Sequence, residues 1–362
     1  MAEIRPFAEG DLSPVALMFA KVFPEAEHAP QSDVREYIRA VFLKNPWYDP
    51  TLPSQVAQDA DGTIIGFLGV VPRHMLWRGR RIRVVVSLNL MVAPERRASL
   101  AAIELLKTLF RGPQDLTLTD GAGEQGRAVW EGLGGETCVL HSLFWTRPVR
   151  PARFLLSRAR RRGWTALPFA LASPVAGLSD ALAMRLPGSR LRLAPRGRAV
   201  DATPAELIEC QRRFSEGYSL RPDYDETSLA WVLARGTQLN GAGRLTTAIA
   251  RNHRGDSIGA FVHSITDDGR CSVIQVIGHP GAFSEVLDVL LYDAWTKGAT
   301  FVNGRLIPSH AQDLSDRYCL IDRRGPWMQI HSRHLEILQA INRGAVCLTR
   351  LDGEWALRFR HW

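Results

Sequence analysis

Two segments of the chain, SLNLMVAPERRASLAAIELLKTLFRGPQDLTLTDG (87–121) and SVIQVIGHPGAFSEVLDVLLYDAWTKGATFVNGRL (272–306), spell out one order of elements. Each reads as a strand, a loop carrying proline, an amphipathic helix and a second strand. The elements ahead of them repeat as well. LSPVALMFAKVFPE (12–25) has its counterpart in ATPAELIECQRRFSEG (202–217), each a helix opened by Ser or Thr followed by proline. SDVREYIRAVFLKNP (32–46) and DETSLAWVLARGTQ (225–238) share helical periodicity, while DGTIIGFLGVV (61–71) and RGDSIGAFVHSI (254–265) are strands entered through a glycine turn. Matching elements in one order indicate a duplication. They predict an α/β chain of two tandem domains, each a mixed central β-sheet flanked by helices.

The length of 362 residues suits two domains of roughly 150 residues each. Hydrophobic content of 46% beside 23% charged residues is that of an ordinary globular protein. The net charge of +8 is unevenly spread: Arg147 to Arg198 holds twelve arginines and the single acid Asp180, so the remainder of the chain carries −3. That stretch also holds six prolines and reads as a connector. The expected division is therefore 1–147, an Arg/Pro-rich connector over 148–198, and 199–362. MAEIRPFAEGDL has charge and proline where a signal peptide needs an apolar run. GWTALPFALASPVAGL (163–178) is interrupted by two prolines and falls short of the about 20 residues a spanning helix needs. A cytoplasmic chain without a membrane span is expected. The five cysteines form no CxxC pair, and His331 and His334 lack a third ligand, so no metal site is expected. The oligomeric state is left open.

The loop MVAPERRASLAA (91–102) resembles the diphosphate-binding loop of the GCN5-related N-acetyltransferase superfamily, whose pattern is V-x-P-x-x-R-G-x-G-x-G/A. Val92, Pro94 and Arg97 match it. Ala98 and Leu100 stand at the first two glycines and Ala102 at the third small residue. TDGAGEQGRAVWEGLGG (119–135) is similar to the family's later strand, loop and helix, with Ala128, Trp130 and Gly134 at comparable places. The resemblance spans roughly residues 4 to 147, with a degenerate copy from about 199 to 362. It implies acyl-CoA, acetyl-CoA by expectation, as co-substrate and an N-acyl transfer to the amine of a small-molecule or peptide acceptor. Leu90, Met91, Val92, Arg96, Arg97, Ala98, Ser99, Leu100 and Ala101 are the implied acyl-CoA contacts. Backbone N–H groups at a helix start can hold an anion without any special side chain. Arg96, Arg97 and Ser99 add charged and hydroxyl donors. In the second copy the corresponding loop and helix start, VIGHPGAFSEVLD (276–288), hold no arginine, and Glu285 and Asp288 there would repel a diphosphate.

Transfer from a thioester to an amine needs a group that polarises the carbonyl, a base for the ammonium proton and an acid for the leaving thiolate. The resemblance assigns the first to backbone at Leu90 to Val92. The place where the family often has an acidic tyrosine is taken by Trp130. Candidate bases are Asp120 and Glu124 after DLTLT, His141 in the apolar strand expected over CVLHSLFW, and the terminal carboxylate of Trp362, since some tandem members fold their C-terminus into the first cleft. Asp120 reads equally as a turn residue and Glu124 as a first-turn helix acid. Two other functional classes fit the sequence. One is a transferase using aminoacyl-tRNA, as the related Fem-type enzymes do, with the arginine-rich stretch along the RNA backbone. The other is a binding module without turnover.

Overall fold

Arg78 and Gly79 both adopt positive φ (47° and 80°), the two-residue turn whose twist matches paired strands. They join the two longest strands of the chain into one hairpin. A computed structural model describes residues 2–97, 99–161, 169–185, 192–239, 241, 243–323 and 325–359. Its strands begin with β1 (Glu3–Pro6), β2 (Gln55–Gln58), β3 (Ile64–Trp77), β4 (Arg80–Val92) and β5 (Leu116–Ala122). They continue with β6 (Glu136–Thr137), β7 (Phe144–Pro148), β8 (Arg198–Asp201), β9 (Leu220–Pro222) and β10 (Arg244–Arg251). The last five are β11 (Ser257–Ile265), β12 (Arg270–Gly278), β13 (Phe301–Arg305), β14 (Leu320–Asp322) and β15 (Trp327–His331). The helices are α1 (Leu12–Val22), α2 (Gln31–Phe42), α3 (Ala101–Phe110), α4 (Glu124–Gly132), α5 (Pro151–Arg161) and α6 (Phe169–Arg185). After them come α7 (Pro204–Phe214), α8 (Glu226–Gln238), α9 (Phe283–Thr296), α10 (Ala311–Asp316) and α11 (Leu335–Asn342).

The chain forms two units, each with its own mixed sheet. One comprises Met1–Ser142, Tyr218–Gly241 and Gly325–Trp362, and the other Leu143–Gly217 and Ala242–Arg324. The first sheet runs β1-β2-β3-β4-β5-β15-β6, with β9 also on β3, and the second runs β14-β7-β13-β12-β11-β10-β8. Read from opposite ends, the two orders correspond strand for strand. β4 pairs parallel with β5 and β12 parallel with β13, while their other neighbours are antiparallel. The predicted duplication and the two mixed sheets flanked by helices are both present.

The units do not follow the contiguous cut expected at residue 147. β7, from the N-terminal half, pairs β13 and β14 in the second sheet. β15, near the C-terminal end, pairs β5 and β6 in the first. α8 belongs to the first unit, although its sequence repeats α2. The stretch expected to be a connector belongs to the second unit, and its described residues include α5 and α6. Asp180, its one acid, is buried and accepts the amides of Ala152 and Arg153 at the start of α5.

In the first unit Leu105, Leu106, Leu109 and Phe110 of α3 pack with Leu68, Val70 and Val85 of the sheet. The apolar spacing Leu100, Ile103, Leu106 and Leu109/Phe110 in the sequence predicts the face packed on the sheet; Leu106, Leu109 and Phe110 are buried there, Ile103 is half-buried, and Ala101 is buried while Leu100 is 61% exposed. The second unit centres on Val286, Leu287, Leu290 and Leu291 of α9 with Phe261, Val273 and Val276. No described helix is long and apolar enough to cross a membrane. Among the described residues no His, Cys, Asp and Glu cluster could hold a metal ion.

Candidate active site in the first unit

β4 and β5 run side by side only from Val84↔Leu116 to Val86↔Leu118. Beyond that point β5 follows β15, pairing Thr119 with Gln329 and Ala122 with Trp327. β4 stays with β3, but through a bulge: Gly69 faces Leu88 and Phe67 faces Met91, so Asn89 and Leu90 together oppose Leu68. Asn89 takes the left-handed conformation (φ 54°), which asparagine tolerates better than most residues. The two strands therefore part, and a cavity of about 700 Å³ opens between Ser87–Leu90 and Thr119–Gly126. That volume suits a small-molecule ligand. Leu106 and Trp130 line it, Phe19, Phe23 and Phe359 form an aromatic wall, and Glu25, Glu354 and Arg358 bring charge.

Glu354 reaches this cavity from the segment after α11. Its Oε1 accepts from the Thr119 hydroxyl at 2.5 Å, the Asp120 amide at 3.0 Å and the Gly121 amide at 2.7 Å. Its own amide donates to Oδ1 of Asp120 at 2.8 Å. Two glycines make the approach possible. A β-carbon at Gly121 would collide with the Glu354 carboxylate, and one at Gly353 with the Asp120 carboxylate. Burial, and then the neighbouring Asp120 charge, raise the proton affinity of Glu354 above that of an ordinary glutamate. Deeper in the unit Asp352 accepts from Thr349 and Tyr224, and burial raises its proton affinity too. Arg73 is buried and stacked 3.9 Å over the Trp47 ring.

The expected acyl-CoA contacts divide. Leu90 lines the cavity, Met91 is buried and Val92 half-buried. Arg97 is exposed and pairs with no described residue, whereas Arg96 forms an ion pair with Asp59 at 2.9 Å. The Ser99 amide donates to the Arg96 carbonyl and the Ser99 hydroxyl accepts from Ala101, the first residue of α3. Leu100 has ordinary dihedrals (φ −79°, ψ 7°) and a side chain in solvent instead of on the sheet. Ala98 lies outside the described residues. In the second unit the corresponding turn is filled by its own groups: His279 Nδ1 accepts from the Gly281 amide, and Asp288 is paired with Arg317.

The candidate bases separate as well. Asp120 is buried on β5, bonded to Glu354. Glu124 opens α4 on the cavity wall, where its carboxylate accepts from Trp327 Nε1 at 2.8 Å. His141 lies in a 3-10 turn, Leu140–Ser142, instead of the expected strand, and it is buried and not among the cavity residues. Trp362 lies outside the described residues. Trp130 packs edge-on against Phe110 and donates to the Ile330 carbonyl at 3.0 Å, so its N–H ties α4 to β15. Sequence reasoning missed Glu354. The local signal for it is Asp352-Gly353, one of four Asp-Gly pairs in the sequence, which answers Asp120-Gly121.

No family model matches the sequence, and no curated protein matches it. Solved structures do. A GCN5-related N-acetyltransferase from Anabaena variabilis aligns over 92% of this chain and 74% of its own, with TM-score 0.59 and 11% identity. One from Kribbella flavida aligns over 92% and 71%, with TM-score 0.55 and 13% identity. A conserved protein of unknown function from Enterococcus faecalis aligns over 92% and 73%, with TM-score 0.57 and 11% identity. Two mixed sheets, each with a parallel strand pair, and the parting of β4 from β5 thus give this chain the fold of the GCN5-related N-acetyltransferases.

Proposed function

We propose that the chain is an acyl-CoA-dependent N-acyltransferase whose working site is the cavity of the first unit, with acetyl as the transferred group. The observation that carries this reading is the parting of β4 from β5 beside the Asn89–Leu90 bulge, which leaves a strand edge and a cavity of about 700 Å³ lined by Leu106 of α3. An extended thioester arm can lie along such an edge. The diphosphate end would meet the amides before α3 and the exposed Arg97. Ala98 and Ser99 belong to that contact, with Leu100 turned away and Ala101 supplying the first helical amide. Acyl-CoA supplies an activated carbonyl: a carbon–nitrogen bond replaces the carbon–sulfur bond, and the thiol leaves with a proton from the amine. The chain's part is to hold both reactants, to exclude water with Phe19, Phe23 and Phe359, and to manage the proton. Among the described residues the second unit has no free cation at the corresponding turn, and it serves as scaffold.

Thermal shift and calorimetry with acetyl-CoA, longer acyl-CoAs and bulk tRNA test this reading. Stabilisation by an acyl-CoA with release of thiol in the presence of amines supports it. Stabilisation by tRNA alone would instead favour an aminoacyl-tRNA-dependent transfer, and acyl-CoA binding without thiol release would favour a binding role.

A further inference from the structure

We propose that Glu354 is the group that binds the acceptor's ammonium and takes its proton, on Oε2, with Asp120 as the positioning residue behind it; this deepens the acyl-transfer reading and rests on it. The two oxygens of Glu354 are used differently. Oε1 is saturated by three donors, the Thr119 hydroxyl and the amides of Asp120 and Gly121. Oε2 accepts a hydrogen bond from no described residue, and Glu354 lines the cavity. A carboxylate oxygen left without a described donor, on a residue that lines a ligand-sized cavity, calls for a cationic or protonated partner. Phe19, Phe23 and Phe359 line the same cavity, and aromatic faces favour an alkylammonium over an anion. The acceptor class is thus a primary amine that enters protonated.

The carboxylate is held rigidly for this task. The Glu354 amide is fixed to Asp120, and the missing β-carbon of Gly121 leaves room for the carboxylate. Across the cavity stand Asn89 and Leu90 of the bulge. The charged and titratable groups around Glu354 are Asp120 of β5, Arg358 of its own segment, Glu25 and Glu124 on the cavity wall, and Tyr37 of α2 with Arg235 of α8 near its ring. Asp120 raises the proton affinity of Glu354, whereas Arg358 and the Thr119 hydroxyl lower it. The proton step balances simply. One N–H bond of the ammonium breaks, its electron pair stays on nitrogen as the attacking lone pair, and Oε2 gains the proton, leaving Glu354 neutral.

The test uses n-propylammonium as probe, with acetyl-CoA binding measured in parallel by calorimetry from about pH 5 to about pH 9. The native chain should bind the probe at neutral pH and lose it as the medium is acidified and Oε2 is protonated. Glu354→Gln should weaken probe binding by at least about tenfold while leaving acetyl-CoA affinity unchanged. Asp120→Asn should move the midpoint of the pH dependence downward without abolishing binding. No probe binding by the native chain at any pH, or equal binding by Glu354→Gln, overturns the proposal. Should Glu354→Gln fail to fold, Thr119→Val decides: removing a donor to the charged form must move the midpoint upward, and an unmoved midpoint overturns the proposal. The acyl-transfer reading fails separately, by absence of acetyl-CoA binding in a native chain that still binds the probe.

Discussion

Asn89 Nδ2 donates to the hydroxyl of Tyr37 at 2.7 Å, and that hydroxyl in turn donates to the Leu357 carbonyl at 2.9 Å. One phenol thus fastens the left-handed residue of the β4 bulge to the segment that follows Glu354. The ring is buried and packs edge-on against Phe42 and Phe359. Tyr37→Phe keeps the ring and strands both partners. Leaving a buried donor and acceptor unpaired should cost roughly 1–3 kcal/mol. Chemical denaturation checks the cost. Because the bulge shapes the cavity wall, acetyl-CoA affinity should fall as well, and a destabilised variant with unchanged affinity would detach the bulge from the site.

Arg97 and Arg96 should behave differently despite their adjacency. Arg97 is exposed and free of described partners, while Arg96 is bound to Asp59. Reversing the charge at Arg97 places a carboxylate beside a diphosphate. Two unit charges about 4 Å apart interact by about 1 kcal/mol in water and about 4 kcal/mol near a protein surface. Arg97→Glu should therefore weaken acetyl-CoA binding by about tenfold or more, with a smaller effect for Arg96→Ala. Calorimetry decides, and equal losses at both positions would mean that the Asp59 pair opens on binding.

The duplication is legible in the sequence because strand, proline turn and helix each carry their signal locally: the 3.6-residue period of α3 and the glycine-entered strands need no partner to be recognised. The exchange of strands between the sheets is not. Phe144–Pro148 and Trp327–His331 read alike as short apolar strands, and which sheet they join depends on residues far off in sequence. The same holds for the site. Asp120 is readable as a candidate, but its partner Glu354 arrives over a separation no pattern spans. His141 misleads because apolar neighbours suggest a strand, while the chain there makes a 3-10 turn. Leu100 misleads for a related reason, since a helix start exposes a residue that periodicity alone assigns to the core.

Gly121 has one β-carbon's worth of room, and Glu354 fills it. Gly121→Ala should push the carboxylate off Oε1's three donors. Overpacking of this kind costs typically 1–3 kcal/mol. Propylammonium binding should be lost along with stability, whereas Gly123→Ala, with nothing near its added carbon, should change neither by a measurable amount. Denaturation and calorimetry on the pair of variants separate a local collision from a general intolerance of the loop.

The sequence-based expectation of a terminal carboxylate at Trp362 as proton acceptor is the rival to Glu354. Truncation is a poor test, since it would create a new carboxylate close to Phe359, itself a cavity residue. Extending the chain by a short Gly-Ser tail removes the carboxylate from Trp362 and leaves every side chain in place. With Glu354 as acceptor, propylammonium binding and its pH dependence should be unchanged in the extended chain. Loss of binding there, with acetyl-CoA affinity retained, would move the role to the C-terminus.

The raised proton affinity of Glu354 also makes a statement about stability. The group binds its proton more tightly folded than unfolded, because burial first and Asp120 second disfavour its charge. Between the ordinary value of 4.5 and the raised folded value, the native state carries more protons than the unfolded state. Stability from this group is therefore fully present below the ordinary value and is lost as the pH rises through the folded one. Glutamine keeps the oxygen that Thr119, Asp120 and Gly121 bond and cannot ionise, so Glu354→Gln escapes that loss. The melting temperature of Glu354→Gln minus that of the native chain should rise as pH is raised from about 5 to about 8. All other titrating groups are common to both chains and largely cancel in the difference. A difference that falls over the same range would mean that the charged carboxylate is the favoured form in the folded chain, with its three donors outweighing burial and the Asp120 charge.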